Sequence, residues 1–295
     1  MRKAVISIGS NSTRLLVADC GDELKNRYLG RAETRLFMGL DESGCLQEEA
    51  MERTVRALCA MRLEAEIQGA ESFTLLATSA TRDAANADDF AQRILDKAGL
   101  NLEIIPGETE AGFAFRAAAG TEDCVVMDIG GGSTEYSRGM GGTIQLAHST
   151  QMGASRLLKL QDITDESTAA KALNLAREAL KPAAEALNSL PRAGRLVGMG
   201  GTCTTAASIV QGYFFSGNDV EGAAVTLETA KEQLELLAPL SPEERMAVPG
   251  LPASRVYHMP HGLCILIASM ELLGFESLTV TGKTILDGYL LQNPD

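Results

Sequence analysis

Gly130, Gly131, Gly132, Ser133 and Thr134 form a run in which backbone N–H groups can converge on an anion with no Cβ in the way. That is what a phosphate group needs. Asp128 and Glu135 flank the run. Carboxylates repel a phosphate, so this pair makes most sense with a hard cation such as Mg²⁺ between it and the ligand. The plainer alternative is a tight hairpin turn with solvated acids. A second glycine cluster, Val197–Cys203 (VGMGGTC), puts Gly200, Gly201 and Thr202 ahead of a helix suggested by Thr204–Val210. A polyphosphate or a nucleotide can dock at such a helix start.

Phosphoryl transfer to water needs a group that positions the water and cations that offset charge on the equatorial oxygens. Arg82 ends the segment Ala77–Arg82 (ATSATR), which follows a strand-like run. A guanidinium there can grip a phosphate through two N–H groups or simply lie on the surface. Glu110, in Ile104–Ala111 (IIPGETEA), opens a helix. A carboxylate is favoured there by the helix dipole alone, and it is also the candidate to hold the attacking water.

These residues must be positioned by strands and helices that alternate along the chain. Val5–Ile8, Leu75–Ala77, Ile104–Ile105 and Val125–Ile129 read as strands. Met51, Val55, Leu58, Cys59 and Leu63 share one helical face, as do Phe90, Ile94 and Ala98 before a stop at Gly99. Later helices are marked by Leu173, Ala176, Leu180 and Leu187, by Leu227, Ala230, Leu234 and Leu237 after Thr226, and by Leu263, Leu266, Ile267, Met270 and Leu273. The pattern is α/β. An internal repeat refines it: Val5–Arg14 (VISIGSNSTR) aligns without a gap on Val126–Glu135 (VMDIGGGSTE). Each copy reads as a hairpin with an exposed Gly/Ser turn, so two related domains are expected.

Composition narrows the partners. The 295 residues suit two domains. With 39 acidic against 26 basic side chains, the net charge of −13 offers no broad positive field for DNA or RNA. The six cysteines, Cys20, Cys45, Cys59, Cys124, Cys203 and Cys264, include no C-x-x-C pair, which argues for a reduced cytoplasmic setting over a disulfide or zinc scaffold. No secretory pattern opens the chain, and the apolar segment Leu263–Met270 is far short of the roughly 20 residues a membrane helix needs. It reads as a buried helix. His258 and His261 sit at i, i+3 beside Pro260 in a turn with no further ligands, and Asp162, Asp165 and Glu166 read as a helix start.

Taken together and in order, the segments resemble the Ppx/GppA phosphatases of the actin-like ATPase superfamily over almost the whole chain. Ile8–Ser12 with Arg14 resembles that family's first phosphate loop, so Ser10, Asn11, Ser12 and Arg14 are implied phosphate contacts. Thr78–Arg82 resembles its arginine loop and Pro106–Ala111 its catalytic glutamate segment. Asp128–Glu135 matches its second phosphate loop, Gly198–Thr202 a third glycine motif, and Gly250–Arg255 a late arginine segment that supplies Arg255. The resemblance implies that Glu110 orients or deprotonates the attacking water, that Asp128 and Glu135 help bind Mg²⁺ (or Mn²⁺), and that Arg14 and Arg82 contact phosphate. It implies two actin-like (ribonuclease H-like) α/β domains with a cleft between them: residues 1–118, and 119–295 with the C-terminal helix packing back on the first. The implied activity is release of terminal phosphate from polyphosphate, of short chain, or from guanosine pentaphosphate. Alternatives are a non-catalytic sensor of guanosine tetra- or pentaphosphate or of polyphosphate, and an actin-fold small-molecule kinase. A homodimer is expected by analogy. Departures from the family pattern are Ser7 for an aspartate, Gly112 for an arginine with Arg116 one turn later, Tyr257 for an aspartate, and Leu286 for an arginine with Lys283 nearby.

Overall fold

The structure is a computed structural model that describes residues 1–215 and 217–293. The chain divides into two compact units, one formed by Met1–Ala117 and the C-terminal segment beginning at Ile285, the other by Ala118–Thr284.

In the first unit, β1 (Arg2–Ile8), β2 (Thr13–Asp19) and β3 (Lys25–Ala32) form an antiparallel meander. Helix α1 (Glu48–Ile67) leads to β4 (Ser72–Ala77), the single turn α2 (Ser79–Arg82), α3 (Ala87–Ala98), β5 (Leu102–Ile104) and α4 (Gly107–Ala118). Among the described residues the sheet order is β3-β2-β1-β4-β5, with β1, β4 and β5 parallel. Residues alternate between faces along a strand. Ala4, Ile6 and Ile8 of β1 therefore share one core with Met51, Val55 and Leu58 of α1 and Phe90 and Ile94 of α3. Cys59 and Leu63 of α1, expected on that face, are exposed, because the buried stripe runs through Thr54, Leu58, Met61 and Ala65 instead. Gly99 ends α3 in the left-handed region, as its position predicts.

The C-terminal helix, Ile285–Gln292, packs on β1 and β2. Thr74 Oγ1 and the Tyr289 hydroxyl lie 3.1 Å apart, Phe113 meets the Tyr289 ring edge-on at 5.4 Å, and Asp287 pairs with Arg27.

The second unit repeats the plan. Strands β6 (Cys124–Ile129), β7 (Thr134–Met140) and β8 (Thr143–Thr150) form a meander. Helices α5 (Ala154–Leu160) and α6 (Glu166–Asn188) precede β9 (Arg195–Met199) and α7 (Gly200–Gln211). Then come β10 (Ala224–Thr226), α8 (Leu227–Leu237), the single turn α9 (Pro242–Arg245), α10 (Met259–Leu273) and β11 (Ser277–Val280), so the helix at Ile285 is α11. Sheet order is β10-β11-β9-β6-β7-β8, with β6, β9 and β11 parallel. Reading β8-β7-β6-β9-β11 reproduces the order of the first sheet, with β10 added on the edge.

Asp165 caps α6 through a reciprocal bond with Thr168, and Thr226 caps α8 in the same way with Thr229. Helix α10 is apolar all round and packs against α5, α6, α7 and α8, which accounts for its near-complete burial. His258 ends the turn at residues 256–258 and caps this helix, whereas Pro260 and His261 lie in its first turn, the His261 ring nitrogens against Tyr257 O at 3.2 Å and Gln161 O at 2.9 Å. All six cysteines are free thiols, and no helix of the described residues is long and apolar enough to cross a membrane.

Candidate functional site

Parallel strands end on a common sheet edge, and loops leaving that edge are where open α/β sheets meet ligands. In the first unit the strands end at Ile8, Ala77 and Ile104. The loops after them carry Ser10, Asn11 and Ser12, then Arg82, then Glu110. Within the first loop Gly9 N–H donates to Ser12 O at 3.1 Å, closing a tight turn. Its carbonyls are tied from behind: Ser10 O accepts from Phe37 N at 2.9 Å and Asn11 O from Arg35 N at 2.9 Å. Arg31 Nε donates to Ser12 Oγ at 3.2 Å. Arg14 sits on β2 opposite Ser7 of β1.

The segment expected as a plain loop at residues 78–82 is the single turn α2, which sets the direction of Arg82. Its Nη1 donates to Ile105 O at 2.8 Å and lies 3.6 Å from Glu110 Oε2. Its Nη2 is buried and makes no hydrogen bond among the described residues. A buried guanidinium N–H left unsatisfied is costly, and an anion would remove that cost. Glu110 itself is 7% exposed, in the first turn of α4.

The second unit builds the matching edge at Ile129, Met199 and Val280. Gly130 N–H donates to Ser133 O at 3.0 Å, the same turn bond as Gly9 to Ser12. Asp128 and Glu135 face each other in the β6–β7 register, at the positions that Ser7 and Arg14 hold in β1–β2. The repeat thus carries a serine and an arginine in one copy and two carboxylates in the other. Glu135 is buried, and its Oε1 accepts from Ser149 Oγ at 2.8 Å.

Gly200 opens α7 with φ +85°, and a Cβ there would overlap Asp128 Oδ1 and lie 3.0 Å from Ile129 O, so both backbone and space call for glycine. A Cβ at Gly201 would fall on the guanidinium of Arg255, which places that arginine over the start of α7. Thr202 is buried against Gly262 of α10. Burial first, and then the Asp128 carboxylate, push the Cys203 thiol well above its ordinary range, so it is a packed neutral thiol.

Ser10, Asn11, Ser12, Arg14, Arg82 and Glu110 therefore share the edge of the first unit. Asp128, Gly130, Gly131, Gly132, Ser133, Thr134, Glu135, Gly200, Gly201, Thr202 and Arg255 belong to the edge of the second. Among the described residues no group of three or more His, Cys, Asp and Glu side chains is placed to hold a metal. Two contributors escaped sequence reasoning. Gly153 lies against the glycine loop, where a Cβ would come within 2.5 Å of Gly131 C and O, and Arg156 Nε donates to Gly132 O at 2.8 Å. The Gly-x-x-Arg spacing from the N-cap into the first turn of α5 is the signal of both.

Two mixed sheets that share a five-strand order, each with a Gly/Ser turn between its first two strands, define a duplicated α/β fold. Residues 29–293 match the Ppx/GppA phosphatase family, and the chain belongs to it. It is 32% identical over 318 residues to exopolyphosphatase 2 of Mycobacterium tuberculosis, with 98% of each protein covered. It is 30% identical over 298 residues to the guanosine-5'-triphosphate,3'-diphosphate pyrophosphatase of Photobacterium profundum; that match takes in 98% of this chain and 58% of the longer relative. The crystal structure of an exopolyphosphatase from Cytophaga hutchinsonii superposes with a TM-score of 0.90 at 26% identity, covering 100% of this chain and 98% of that one. The Aquifex aeolicus member of the Ppx/GppA family gives 0.82 at 27% identity, with 99% and 97% covered.

Proposed function

We propose that this chain hydrolyses the terminal phosphoanhydride bond of inorganic polyphosphate or of guanosine pentaphosphate. The observation that carries the reading is the Arg82–Glu110 pair: a buried carboxylate 3.6 Å from an arginine whose second terminal nitrogen is buried and unsatisfied, on the sheet edge that also bears the first phosphate loop. Family membership and the substrates in the relatives' names support the same reaction class.

In this reading Arg14 and Arg82 bind nonbridging phosphoryl oxygens at the edge of the first unit, and Arg255 and the glycine-loop amides bind phosphate at the edge of the second. Glu110 accepts a proton from water as its oxygen attacks the terminal phosphorus. The bridging P–O bond breaks, giving orthophosphate and a chain one phosphate shorter. Asp128 and Glu135 fit a hard divalent ion. They are opposed carboxylates under a glycine that keeps space open at Asp128, and Mg²⁺ commonly takes only one or two carboxylates and fills its shell with water and phosphate oxygens. Bound there, Mg²⁺ or Mn²⁺ would neutralise charge on the phosphate oxygens.

The test is orthophosphate release from tripolyphosphate and from guanosine pentaphosphate, with Mg²⁺ and with EDTA. Release that needs the metal supports the reading, and the faster substrate names the activity. Tight binding of either compound without release would favour a sensor instead.

A further inference from the structure

The carbonyls of the second glycine loop are held from behind by the segment that follows β8. Gly130 O accepts from Ala154 N at 3.0 Å, and Gly131 O from Ser155 N at 2.8 Å and Arg156 N at 3.0 Å. Gly132 O is held by a side chain, Arg156 Nε at 2.8 Å. Arg156 is steadied in turn by Nη2, which donates to Gln151 Oε1 at 2.8 Å.

A trans peptide is planar, with its C=O and the following N–H pointing in opposite directions. Fixing Gly131 O and Gly132 O toward α5 therefore aims the N–H groups of Gly132 and Ser133 away from it. In the first loop the matching carbonyls accept from backbone donors, Ser10 O from Phe37 N and Asn11 O from Arg35 N. In the second loop the last peptide plane depends on one guanidinium.

We infer that Arg156 is a positioning residue for phosphate: its Nε sets the Gly132–Ser133 peptide plane, whose N–H binds an oxygen of a phosphoryl group. The inference rests on Gly130–Thr134 being the phosphate cradle. A lysine keeps the charge but lacks the fixed Nε–H fork, so it cannot hold Gly132 O in the same way.

The test uses the full chain with orthophosphate as probe, followed by the amide ¹⁵N–¹H shifts of Gly131–Ser133, with KM and kcat for tripolyphosphate measured alongside. Arg156→Lys and Arg156→Met are both expected to weaken orthophosphate about tenfold and raise KM similarly, with kcat changed less than about threefold. Gln151→Ala, which leaves Arg156 in place, is expected to weaken binding about threefold and serves if the Arg156 variants do not fold. Wild-type affinity in Arg156→Lys would overturn the inference by reducing the role to charge, and so would wild-type affinity in Gln151→Ala where that variant is the one measured. Loop amides in the wild-type protein that ignore orthophosphate would refute the cradle and the inference together. Wild-type amides that respond without tripolyphosphate turnover would refute only the proposed reaction.

Discussion

Gly153→Ala isolates the packing behind the glycine loop. The backbone of Gly153 is extended, at φ −135°, so alanine brings no backbone strain. Its Cβ would stand 2.5 Å from Gly131 C and O and 2.6 Å from Ser133 N, where carbon contacts ordinarily begin near 3.4 Å. The loop must therefore move by about 0.9 Å, and its carbonyl bonds to α5 move with it. Overpacking of this kind costs about 1–3 kcal/mol, and a displacement of about 1 Å at a reacting centre can cost on the order of 100-fold in rate. The expected result is an unfolding free energy from urea titration lowered in that range at unchanged m-value, with kcat/KM for tripolyphosphate reduced at least tenfold. Gly21→Ala is the control: it is exposed and its nearest new contact is 3.9 Å, so it should be neutral within about 0.5 kcal/mol. If Gly153→Ala matches Gly21→Ala in both assays, the loop is not held by close packing and the reasoning fails.

Other outcomes follow from single contacts. Arg82→Lys should lower kcat/KM at least tenfold, since a lysine cannot serve Ile105 O and a phosphate with one planar fork; near-normal turnover would contradict this. Gly288→Ala would drive a Cβ into Phe113 O, so α11 should loosen from its unit and thermal stability should fall by several degrees in calorimetry. Burial outweighs the two carbonyls facing His261 and lowers its pKa below 6.5. The unfolded chain therefore binds the proton more readily: this contribution to stability is complete above pH 6.5 and is lost as pH falls through the lower folded value. An NMR titration of the His261 ring that gave a midpoint at or above 6.5 would reverse the sign.

How much was legible from sequence depends on how locally each feature is encoded. The two hairpins were readable because glycine, serine and threonine recur at the same offsets after apolar runs, and the duplicated strand order follows that repeat. Helices with strong caps or full apolarity, such as α8 behind Thr226 and α10, were also plain. The buried face of α1 was misjudged at Cys59 and Leu63 because several stripes fit its mixed sequence and only packing selects one. The single turn α2 was hidden because four residues are too few to show a period. Gly153 and Arg156 stayed out of sight because they act through contacts to residues 20 to 24 positions away, which no local pattern announces.

The central claim is that Glu110 handles the proton of the attacking water. Orthophosphate release from tripolyphosphate and guanosine pentaphosphate, compared between the natural chain and Glu110→Gln at saturating Mg²⁺, tests it most directly. The amide keeps the size and one acceptor oxygen but cannot take up the proton, so kcat should fall by about 100-fold or more while substrate affinity stays within a few-fold. Equal turnover in the two proteins would remove Glu110 from the chemistry.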